Sequence, residues 1–295
     1  MCRTRVIGNH YDPNNEISNG RGNLSFTSIN LPRMAIEANH DIDKFFEILD
    51  HYTDLVVDQL YDRYLFQKKK KVRNFPFLMG QGVWIGSENL KEDDELGDII
   101  NHGTLSMGFI GLAEALIALI GKHHGESEEA QELGLRIVKH MREKMDEASA
   151  LKGLNYTLLA TPAENLAGRF IKKDKEIYGI IKDVTEREYY TNSNHVPVYY
   201  PISAYDKIDI EAPYCQYTNA GHITYIELDG DPAENLSAFE SVVNHMKERG
   251  VGYGSINHEV DHCKACGYSG IIKDNCPVCG TSDPKDIERI ARITG

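Results

Sequence analysis

Four cysteines near the C-terminus have the spacing that most strongly indicates chemistry. Cys263 and Cys266 form one Cys-x-x-Cys pair, and Cys276 and Cys279 form a second pair nine residues later. Four thiolates in this pattern suit one tetrahedral metal centre, and the glycine after each pair lets the backbone turn both sulfurs inward. Zinc is favoured over iron, because four thiolates that complete the coordination sphere, with no sign of another cofactor in the sequence, are typical of a structural zinc site. A redox-active dithiol is the alternative.

A second pattern, Thr161-Pro-Ala-Glu164, directly follows a predicted strand at 156–160. It fits a helix start, with Thr161 at the N-cap, proline at the first helical position and Glu164 completing a capping box. The N-terminus of a helix that follows a strand offers amides and a positive dipole end to a phosphate. From these residues alone, a plain helix cap and a phosphate site both remain open.

The other cysteines and the histidines give weaker signals. Cys2 has no nearby base that could activate it as a nucleophile. Cys215 falls in a predicted strand, where a cysteine is by default a small buried hydrophobe. His102 could be a ligand or a base, although a buried histidine with satisfied hydrogen bonds is the simpler interpretation. His123 and His124 precede a glycine and are interpreted as a helix end, not as a metal site.

The elements that must position these residues follow from hydrophobic periodicity. Apolar residues at steps of three and four predict helices, and loose alternation predicts strands. The predicted helices cover 42–73 (with a basic run at its end), 96–121, 127–151, 233–249 and 286–293. The predicted strands cover 24–31, 156–160, 223–228 and 252–256, in addition to the short strand that includes Cys215. This alternation favours an α/β barrel or sheet with helices outside.

Composition excludes several classes of protein. The chain has 295 residues, of which 41% are hydrophobic and 26% charged, as in ordinary globular domains. Its net charge of −13 argues against sequence-independent binding to nucleic acid or anionic lipid. There is no run of about 18 apolar residues and no apolar signal segment at the start. We therefore expect a cytoplasmic protein with no membrane or nucleic-acid partner.

Several distinctive stretches occur along the chain in a fixed order. They are Met-Cys-Arg-Thr-Arg-Val at 1–6, Gly-Arg-Gly-Asn-Leu-Ser-Phe-Thr-Ser-Ile-Asn-Leu-Pro-Arg at 20–33, Thr-Pro-Ala-Glu-Asn-Leu-Ala-Gly-Arg-Phe at 161–170, Tyr-Thr-Asn-Ser-Asn-His-Val-Pro-Val at 190–198, the four cysteines, and the terminal Arg-Ile-Thr-Gly. Together they resemble the anaerobic (class III) ribonucleoside-triphosphate reductases, a family of glycyl-radical enzymes. The resemblance covers nearly all 295 residues.

This resemblance implies a fold, a domain division and an activity. The fold would be part of a ten-stranded α/β barrel with a C-terminal zinc ribbon. Residues 1–257 would form the C-terminal part of the catalytic barrel including its finger loop, 258–283 the four-cysteine zinc ribbon, and 284–295 the glycyl-radical segment. The activity would be the anaerobic reduction of ribonucleoside triphosphates to 2′-deoxyribonucleoside triphosphates by a glycyl and thiyl radical mechanism.

The resemblance also assigns roles to single residues. Cys2 would be the finger-loop cysteine whose thiyl radical abstracts the ribose 3′-hydrogen. Gly295 would store the radical, and Asn23 would match an active-site asparagine. The loop containing Thr161, Ala163 and Glu164 would contact the substrate phosphates, which favours the phosphate interpretation over a plain cap. The four cysteines would bind a structural zinc ion.

These roles agree with the residue types. A radical on glycine is planar and delocalised, and no side chain blocks its approach to a buried thiol. Such chemistry needs a closed, dry pocket. The implied partners are ribonucleoside triphosphates, a second copy of the chain that contacts 96–151, and an activase that uses S-adenosylmethionine and an iron-sulfur cluster. The sequence leaves the nucleotide preference and the reductant open, with formate and a thioredoxin-like protein as the candidates.

The chain also departs from the family pattern. Family members have an additional N-terminal half with a regulatory ATP site and another active-site cysteine, and they continue beyond the radical glycine. We therefore expect no turnover by this chain alone, and activity when a complementary N-terminal chain completes the barrel.

Two other function classes were weighed. One is another glycyl-radical enzyme, such as a pyruvate formate-lyase relative, but its adjacent cysteine pair is absent here and it normally lacks a four-cysteine ribbon. The other is a zinc-ribbon module that binds nucleic acid, which would need a basic face near the cysteines. That region instead carries the acidic residues Glu259, Asp261, Asp274, Asp283 and Asp286.

Overall fold

The computed structural model describes residues 4–228, 232–258 and 260–290. They form two compact units: residues 4–200 with 213–222, and residues 201–212 with the described residues after 222. Both units combine helices and strands. Cys2 and Gly295 lie outside the described residues, as does Glu259.

A three-stranded parallel sheet forms the centre of the first unit, in the order β1-β2-β3. Parallel neighbours need long crossover connections, and helices supply them here. The strands are β1 (Asn23–Asn30), β2 (Thr104–Ile110) and β3 (Asn155–Ala160). The helices are α1 (Leu31–Ala38), α2 (Ile42–Lys68), α3 (Leu112–Ile120), α4 (Glu128–Lys152) and α5 (Asn165–Tyr178).

Helices α2 and α4 cover one face of this sheet and form the main core with it. Leu105 and Met107 of β2 are fully buried against Phe45 of α2 and Met141 of α4 in one apolar cluster. Alternate residues of a strand point to opposite faces, so this packing uses one face of the sheet and leaves the other for different side chains.

The predicted helix over 96–121 is wrong. The structure has a short 3-10 helix at Gly97–His102, then β2, then α3. Apolar residues at helical spacing flank β2 on both sides, and they obscured the alternation of small or polar with apolar residues within the strand itself, Thr-Leu-Ser-Met-Gly-Phe. Gly111, with a φ of 79°, separates the strand from α3. The segment 96–151 is therefore a strand and two helices.

Other predicted elements of the first unit are confirmed. The strands at 24–31 and 156–160 correspond to β1 and β3. The helices that begin at 42 and 127 correspond to α2 and α4, and each begins after a capping side chain, Asp41 and Ser127 respectively.

The second unit contains two small sheets. A parallel pair joins β4 (Thr224–Leu228) to β5 (Gly254–His258), and an antiparallel sheet has the order β7-β6-β8. Its other elements are α6 (Ala204–Glu211), α7 (Leu236–Glu248), β6 (Val260–Cys263), β7 (Ser269–Gly270) and β8 (Ile287–Ile290).

The helix predicted at 286–293 is wrong for its described part, because Ile287–Ile290 is β8 and pairs with β6. The pairing with a distant strand outweighs the local pattern of four residues. In the described part of the chain, no helix is long and apolar enough to cross a membrane.

Candidate functional site

The second face of the parallel sheet carries hydroxyl and amide side chains. Asn23 Nδ2 donates to Thr104 Oγ1 at 3.2 Å and also to Ser106 Oγ. Ser106 Oγ in turn lies 2.8 Å from Thr157 Oγ1. All three hydroxyl residues are buried, although none belongs to the apolar core. The sheet thus separates an apolar layer from a polar layer, and the polar layer can hold a polar ligand.

The same face continues toward the carboxyl ends of the strands. Ser28 Oγ of β1 and Thr161 Oγ1, just after β3, lie 2.8 Å apart. Gly108 of β2 lies directly beneath them, since a Cβ on this residue would come within 2.0 Å of Thr161 Oγ1. Glycine is therefore required by the close approach of two side chains.

The capping box predicted at Thr161 is wrong. Helix α5 begins at Asn165, and the N-cap residue is Glu164, whose side chain makes no capping hydrogen bond. The physical reason is that the Thr161 hydroxyl bonds to Ser28 and the Ala163 N–H donates to Asn192 Oδ1 at 3.1 Å. Glu164 is exposed and has a φ of 44°, a backbone conformation that residues other than glycine rarely adopt. The loop between β3 and α5 is held by tertiary contacts, not by a local cap.

A buried loop at 191–195 supports this arrangement, and its sequence belongs to the stretch quoted for the resemblance. Besides the bond from Ala163 to Asn192, the N–H of Gly111 donates to Thr191 O and that of Leu112 to Ser193 O. Residues 191–195 are all buried. The loop therefore joins the start of α3 to the loop that precedes α5.

Glu114 holds the same loop, and sequence reasoning missed it. Its Oε1 accepts from the N–H of Thr191 at 2.9 Å and from Thr191 Oγ1 at 2.7 Å, whereas Oε2 is buried without a partner. Burial raises the pKa of Glu114, and the two bonds from Thr191 only partly oppose this effect. No spacing pattern marks Glu114, because its partner lies 77 residues away.

A second buried carboxylate, Asp174 of α5, was also missed. Its Oδ1 accepts from Arg33 Nε at 2.7 Å and Nη2 at 2.5 Å, and its Oδ2 accepts from Asn30 Nδ2 and Tyr190 OH, each at 2.8 Å. Asp174 is fully buried. Burial and the neighbouring Asp174 raise the pKa of Tyr190, so the phenol remains a donor. The hydrogen bonds of Asp174 therefore tie α5 to Asn30 at the end of β1 and to Arg33 in the first turn of α1.

Asn155 fixes the described part of the N-terminal segment. Its Oδ1 accepts from the N–H of His10 at 2.7 Å, and its Nδ2 donates to Asn9 Oδ1 at 3.2 Å and Asn101 O at 3.0 Å. Asn9 Nδ2 lies 3.3 Å from His102 Nδ1, and burial lowers the pKa of His102. His102 therefore has a structural contact, as its simpler interpretation predicted.

The remaining candidates from the sequence also have structural contacts. Cys215 is buried in a 3-10 helix, not in the predicted strand. His123 and His124 follow the end of α3 and are buried. His123 Nδ1 accepts from the N–H of Gly125 at 3.0 Å, and burial lowers the pKa of His123.

The four C-terminal cysteines meet at one point. Their Sγ atoms all lie within 4.8 Å of one another, with Cys263 and Cys279 3.6 Å apart and Cys266 and Cys276 3.6 Å apart. A tetrahedral zinc ion with Zn–S bonds of about 2.3 Å separates its sulfurs by about 3.8 Å. The distances and the donor set therefore fit zinc, and they exceed by far an S–S bond of about 2.0 Å.

The two halves of this cluster have the same backbone geometry. The N–H of Gly267 donates to Cys263 O and that of Gly280 to Cys276 O, both at 2.8 Å. Gly267 has a φ of 78° and Gly280 of 75°, so the role predicted for these glycines is confirmed. Burial opposes ionisation of Cys276, but backbone donors stabilise its thiolate and lower its pKa to about 6.

An ion pair between the buried Asp261 carboxylate and the exposed Arg289 side chain braces the small sheet beside the cysteines. Asp261 Oδ2 accepts from Arg289 Nη1 at 3.1 Å and from the N–H of Ile272 at 2.8 Å. Arg289 also donates to Ile272 O and Lys273 O, each at 2.7 Å. This brace joins β6, β8 and the segment between the cysteine pairs, directly before residues 291–295.

Comparison with known proteins identifies the family. The sequence model described as anaerobic ribonucleoside-triphosphate reductase matches residues 1–295. The chain is 35% identical over 303 residues to the enzyme of that name from Salmonella typhimurium and 34% identical to that from Escherichia coli. The chain belongs to the anaerobic ribonucleoside-triphosphate reductase family. Each alignment covers 100% of this chain but 42% of the relative, so the chain spans less than half the length of these relatives.

Solved structures agree on the fold. The anaerobic ribonucleotide reductase from Thermotoga maritima with MES in the active site matches 94% of this chain and 43% of that chain, with a TM-score of 0.73 and 20% identity. The same enzyme in complex with dATP and CTP matches 89% of this chain and 41% of that chain, with a TM-score of 0.64 and 22% identity. The mixed α/β fold is therefore that of the anaerobic ribonucleotide reductases.

Proposed function

We propose that this chain takes part in the anaerobic reduction of ribonucleoside triphosphates to 2′-deoxyribonucleoside triphosphates by a glycyl and thiyl radical mechanism. The observation that carries the proposal, beyond family membership, is the arrangement of the polar layer. Asn23 pairs with Thr104 at one end, and Thr161 lies over Gly108 at the other. At about 3.3 Å per residue, four residues of β2 separate the two ends by about 13 Å, a length suited to a ribose with its phosphates.

The triphosphate end of this site is the loop between β3 and α5. Thr161 and Ala163 bring the backbone to the N-terminus of α5, where the helix dipole favours an anion. Glu164 contributes its backbone at the N-cap position, because its exposed carboxylate would repel a phosphate. Asn192 and Glu114 hold this loop from behind.

The radical roles fall on three residues. Cys2 takes the 3′-hydrogen of the ribose as a thiyl radical, and Gly295 stores the radical between turnovers. Both lie outside the described residues, so their support is the family match. Asn23 lies in the polar layer and contacts the ribose end of the substrate. The reaction replaces the 2′-hydroxyl by hydrogen and releases water, with electrons from formate or a thioredoxin-like protein.

Zinc bound by Cys263, Cys266, Cys276 and Cys279 has an architectural role. Four thiolates fill a tetrahedral zinc ion and leave no position for a substrate. The cluster and the Asp261–Arg289 pair together hold β8, the strand of the radical segment 284–295 that precedes Gly295 in sequence. The proposed domains are 1–257, 258–283 and 284–295.

The proposed assembly is a cytoplasmic reductase with the ten-stranded barrel of the family. It contains this chain together with the part of the longer relatives that the alignments leave uncovered, in the same or in a second polypeptide. The assembly is activated by a radical S-adenosylmethionine enzyme with an iron-sulfur cluster and pairs as a homodimer. We call this combination the assembled reductase.

The test uses the assembled reductase under anaerobic conditions with activase, S-adenosylmethionine, reductant and CTP. We expect a glycyl doublet by electron paramagnetic resonance and formation of deoxycytidine triphosphate. Gly295→Ala removes both the doublet and the product, whereas Cys2→Ser keeps the doublet and removes the product. Neither doublet nor product from the unsubstituted assembly would reject the proposal.

A further inference from the structure

We propose that Ser106 and Thr157 are positioning residues: they fix the side-chain amide of Asn23 so that its Oδ1 accepts a hydrogen bond from a ribose hydroxyl. The inference rests on the proposed function, since it assumes a ribonucleotide in the polar layer. Ser106 and Thr157 would not touch the nucleotide themselves and would act through Asn23.

The first step is the orientation of the amide. A side-chain amide has two N–H donors on one side and a carbonyl acceptor on the other. Nδ2 of Asn23 uses its donors on two hydroxyls, Thr104 Oγ1 at 3.2 Å and Ser106 Oγ. Oδ1 then points away from both hydroxyls, and it has no hydrogen-bond partner among the described residues.

The second step concerns Thr157. A serine hydroxyl has a single hydrogen, and Ser106 must accept from Asn23 while its own hydrogen bonds elsewhere. Thr157 Oγ1 lies 2.8 Å from Ser106 Oγ and shares with it a hydrogen bond in which either hydroxyl can be the donor, so Thr157 holds the Ser106 oxygen in place in both cases. Ser106 is fully buried and Thr157 is 4% exposed, so water does not easily replace either partner. The two hydroxyls thus form a relay that orients one amide.

The third step is the match to the ligand. Asn23 is half-buried, and its hydrogen bonds to Thr104 and Ser106 use Nδ2, which leaves the Oδ1 carbonyl as the acceptor for a ligand. Both ribose hydroxyls can donate to such a carbonyl. An acceptor that is already oriented binds and discriminates better than one that must first stop rotating.

The experiment measures discrimination for ribose hydroxyls in the assembled reductase. Labelled CTP is displaced from the active site by CTP or by 2′,3′-dideoxy-CTP, which lacks both hydroxyls. We expect the unsubstituted assembly to prefer CTP by about tenfold, the equivalent of one net hydrogen bond of about 1.4 kcal/mol. Ser106→Ala and Thr157→Val should lower this preference to about twofold, whereas Thr157→Ser, which keeps the hydroxyl, should retain it.

A double-mutant cycle separates positioning from a general loss of structure. If Ser106 and Thr157 act through Asn23, Ser106→Ala should not change the preference for CTP any further in a protein that already carries Asn23→Ala. Ser149→Ala is the matched control, because Ser149 is also a buried hydroxyl that donates, to Met145 O and Tyr156 O, and accepts, from the N–H of Tyr156. It should lower the thermal midpoint and leave the preference unchanged.

Three results would overturn the inference. The first is an unchanged preference for CTP in Ser106→Ala and Thr157→Val. The second is a loss of preference on Ser106→Ala that is the same in the parent and in the Asn23→Ala background. The third is a loss of preference in Ser149→Ala as large as that in Ser106→Ala. Failure of the proposed function would differ from all three, because labelled CTP would then not bind to the unsubstituted assembly.

Discussion

The hydroxyls of Ser28 and Thr161 lie 2.8 Å apart across the backbone of Gly108. The bond joins the first strand of the parallel sheet to the residue just after the third strand, and it crosses the strand between them. It therefore fixes the start of the loop that we propose for the triphosphate, and it does so only because the middle strand has no side chain at this point.

Gly108→Ala should destabilise the protein. The new Cβ would lie 2.0 Å from Thr161 Oγ1 and 2.6 Å from Ser28 Oγ. Overpacking of this kind costs about 1–3 kcal/mol, which chemical unfolding would measure. Adding Thr161→Ala to the Gly108→Ala protein should recover part of the loss, because it removes the closest atom.

Gly168→Ala is the control for this prediction. Gly168 lies inside α5, and its Cβ would meet the nearest atom at an ordinary 3.6 Å. Alanine favours a helix over glycine by about 1 kcal/mol, so this variant should be more stable than the parent. If Gly108→Ala is equally tolerated, the two hydroxyls do not lie across Gly108 as described.

The sequence predicted features that depend on local spacing. The cysteine cluster needs two short pairs and two glycines, all within 263–280, and the structure brings its four sulfurs together as expected. Helices α2 and α4 are long and periodic, so α4 was predicted to within one residue at each end and α2 correctly at its start but five residues too long at its end. The local capping pattern marked Thr161, whereas the active-site role of Asn23 and the preference for a phosphate at Thr161 came from the family resemblance.

Features that depend on distant segments were missed or wrong. The capping pattern at Thr161 was wrong because Ser28, 133 residues away, binds its hydroxyl. Glu114 and Asp174 gave no local signal, since their partners come from the loop near 190 and from the end of β1. Strand β2 was taken for part of a helix because apolar residues at helical spacing lie in the 3-10 helix before it and in α3 after it, and they outweighed the short alternation within the strand.

Glu114→Gln should change how stability depends on pH. Burial raises the pKa of Glu114, so the folded protein holds this proton more tightly than the unfolded chain does. The contribution of protonated Glu114 to the free energy of unfolding is therefore fully present below the ordinary glutamate pKa of about 4.3. This contribution is lost as the pH rises from that value through the raised pKa of the folded protein. Glutamine stays neutral and keeps an acceptor for Thr191. We expect the free energy of unfolding of Glu114→Gln to increase relative to that of the parent protein between about pH 4 and pH 7. Chemical unfolding of both proteins at each pH measures this difference.

Glu129→Gln serves as the comparison, because Glu129 is exposed in the first turn of α4. Its stability difference from the parent should vary much less over the same range. A flat profile for Glu114→Gln would mean that the buried carboxyl is not destabilised by ionisation.

Loss of one sulfur should release the metal. Cys263→Ser replaces a fully buried sulfur of the cluster, whereas Cys215→Ser changes a cysteine far from it in sequence. We expect about one zinc ion per chain in the parent and in Cys215→Ser, by elemental analysis, and little in Cys263→Ser. Proteolysis within 260–290 should accelerate only when zinc is lost, because a structural zinc site contributes directly to folding. Equal zinc content in all three proteins would contradict this assignment.

Asp174→Asn should be among the most destabilising conservative changes in the first unit. The carboxylate is fully buried and accepts four hydrogen bonds, two of them from Arg33. An amide would direct N–H groups at one pair of donors and leave the Arg33 charge without its counter-ion. Breaking a buried ion pair from one side costs about 3–5 kcal/mol.

Two further variants make this prediction decisive even if Asp174→Asn does not fold. Tyr190→Phe removes a single donor to Asp174 and should cost about 1.5–3 kcal/mol, the range for a hydrogen bond to a charged group. Asp146→Asn breaks the surface ion pair between Asp146 and Arg142. The Asp146 side chain is 53% exposed, so this substitution should cost less than about 1 kcal/mol. Equal losses for Tyr190→Phe and Asp146→Asn in chemical unfolding would mean that the buried cluster contributes no more than a surface ion pair. A loss that follows burial would identify Asp174 as the contact that holds α5, and with it the proposed phosphate loop, against β1.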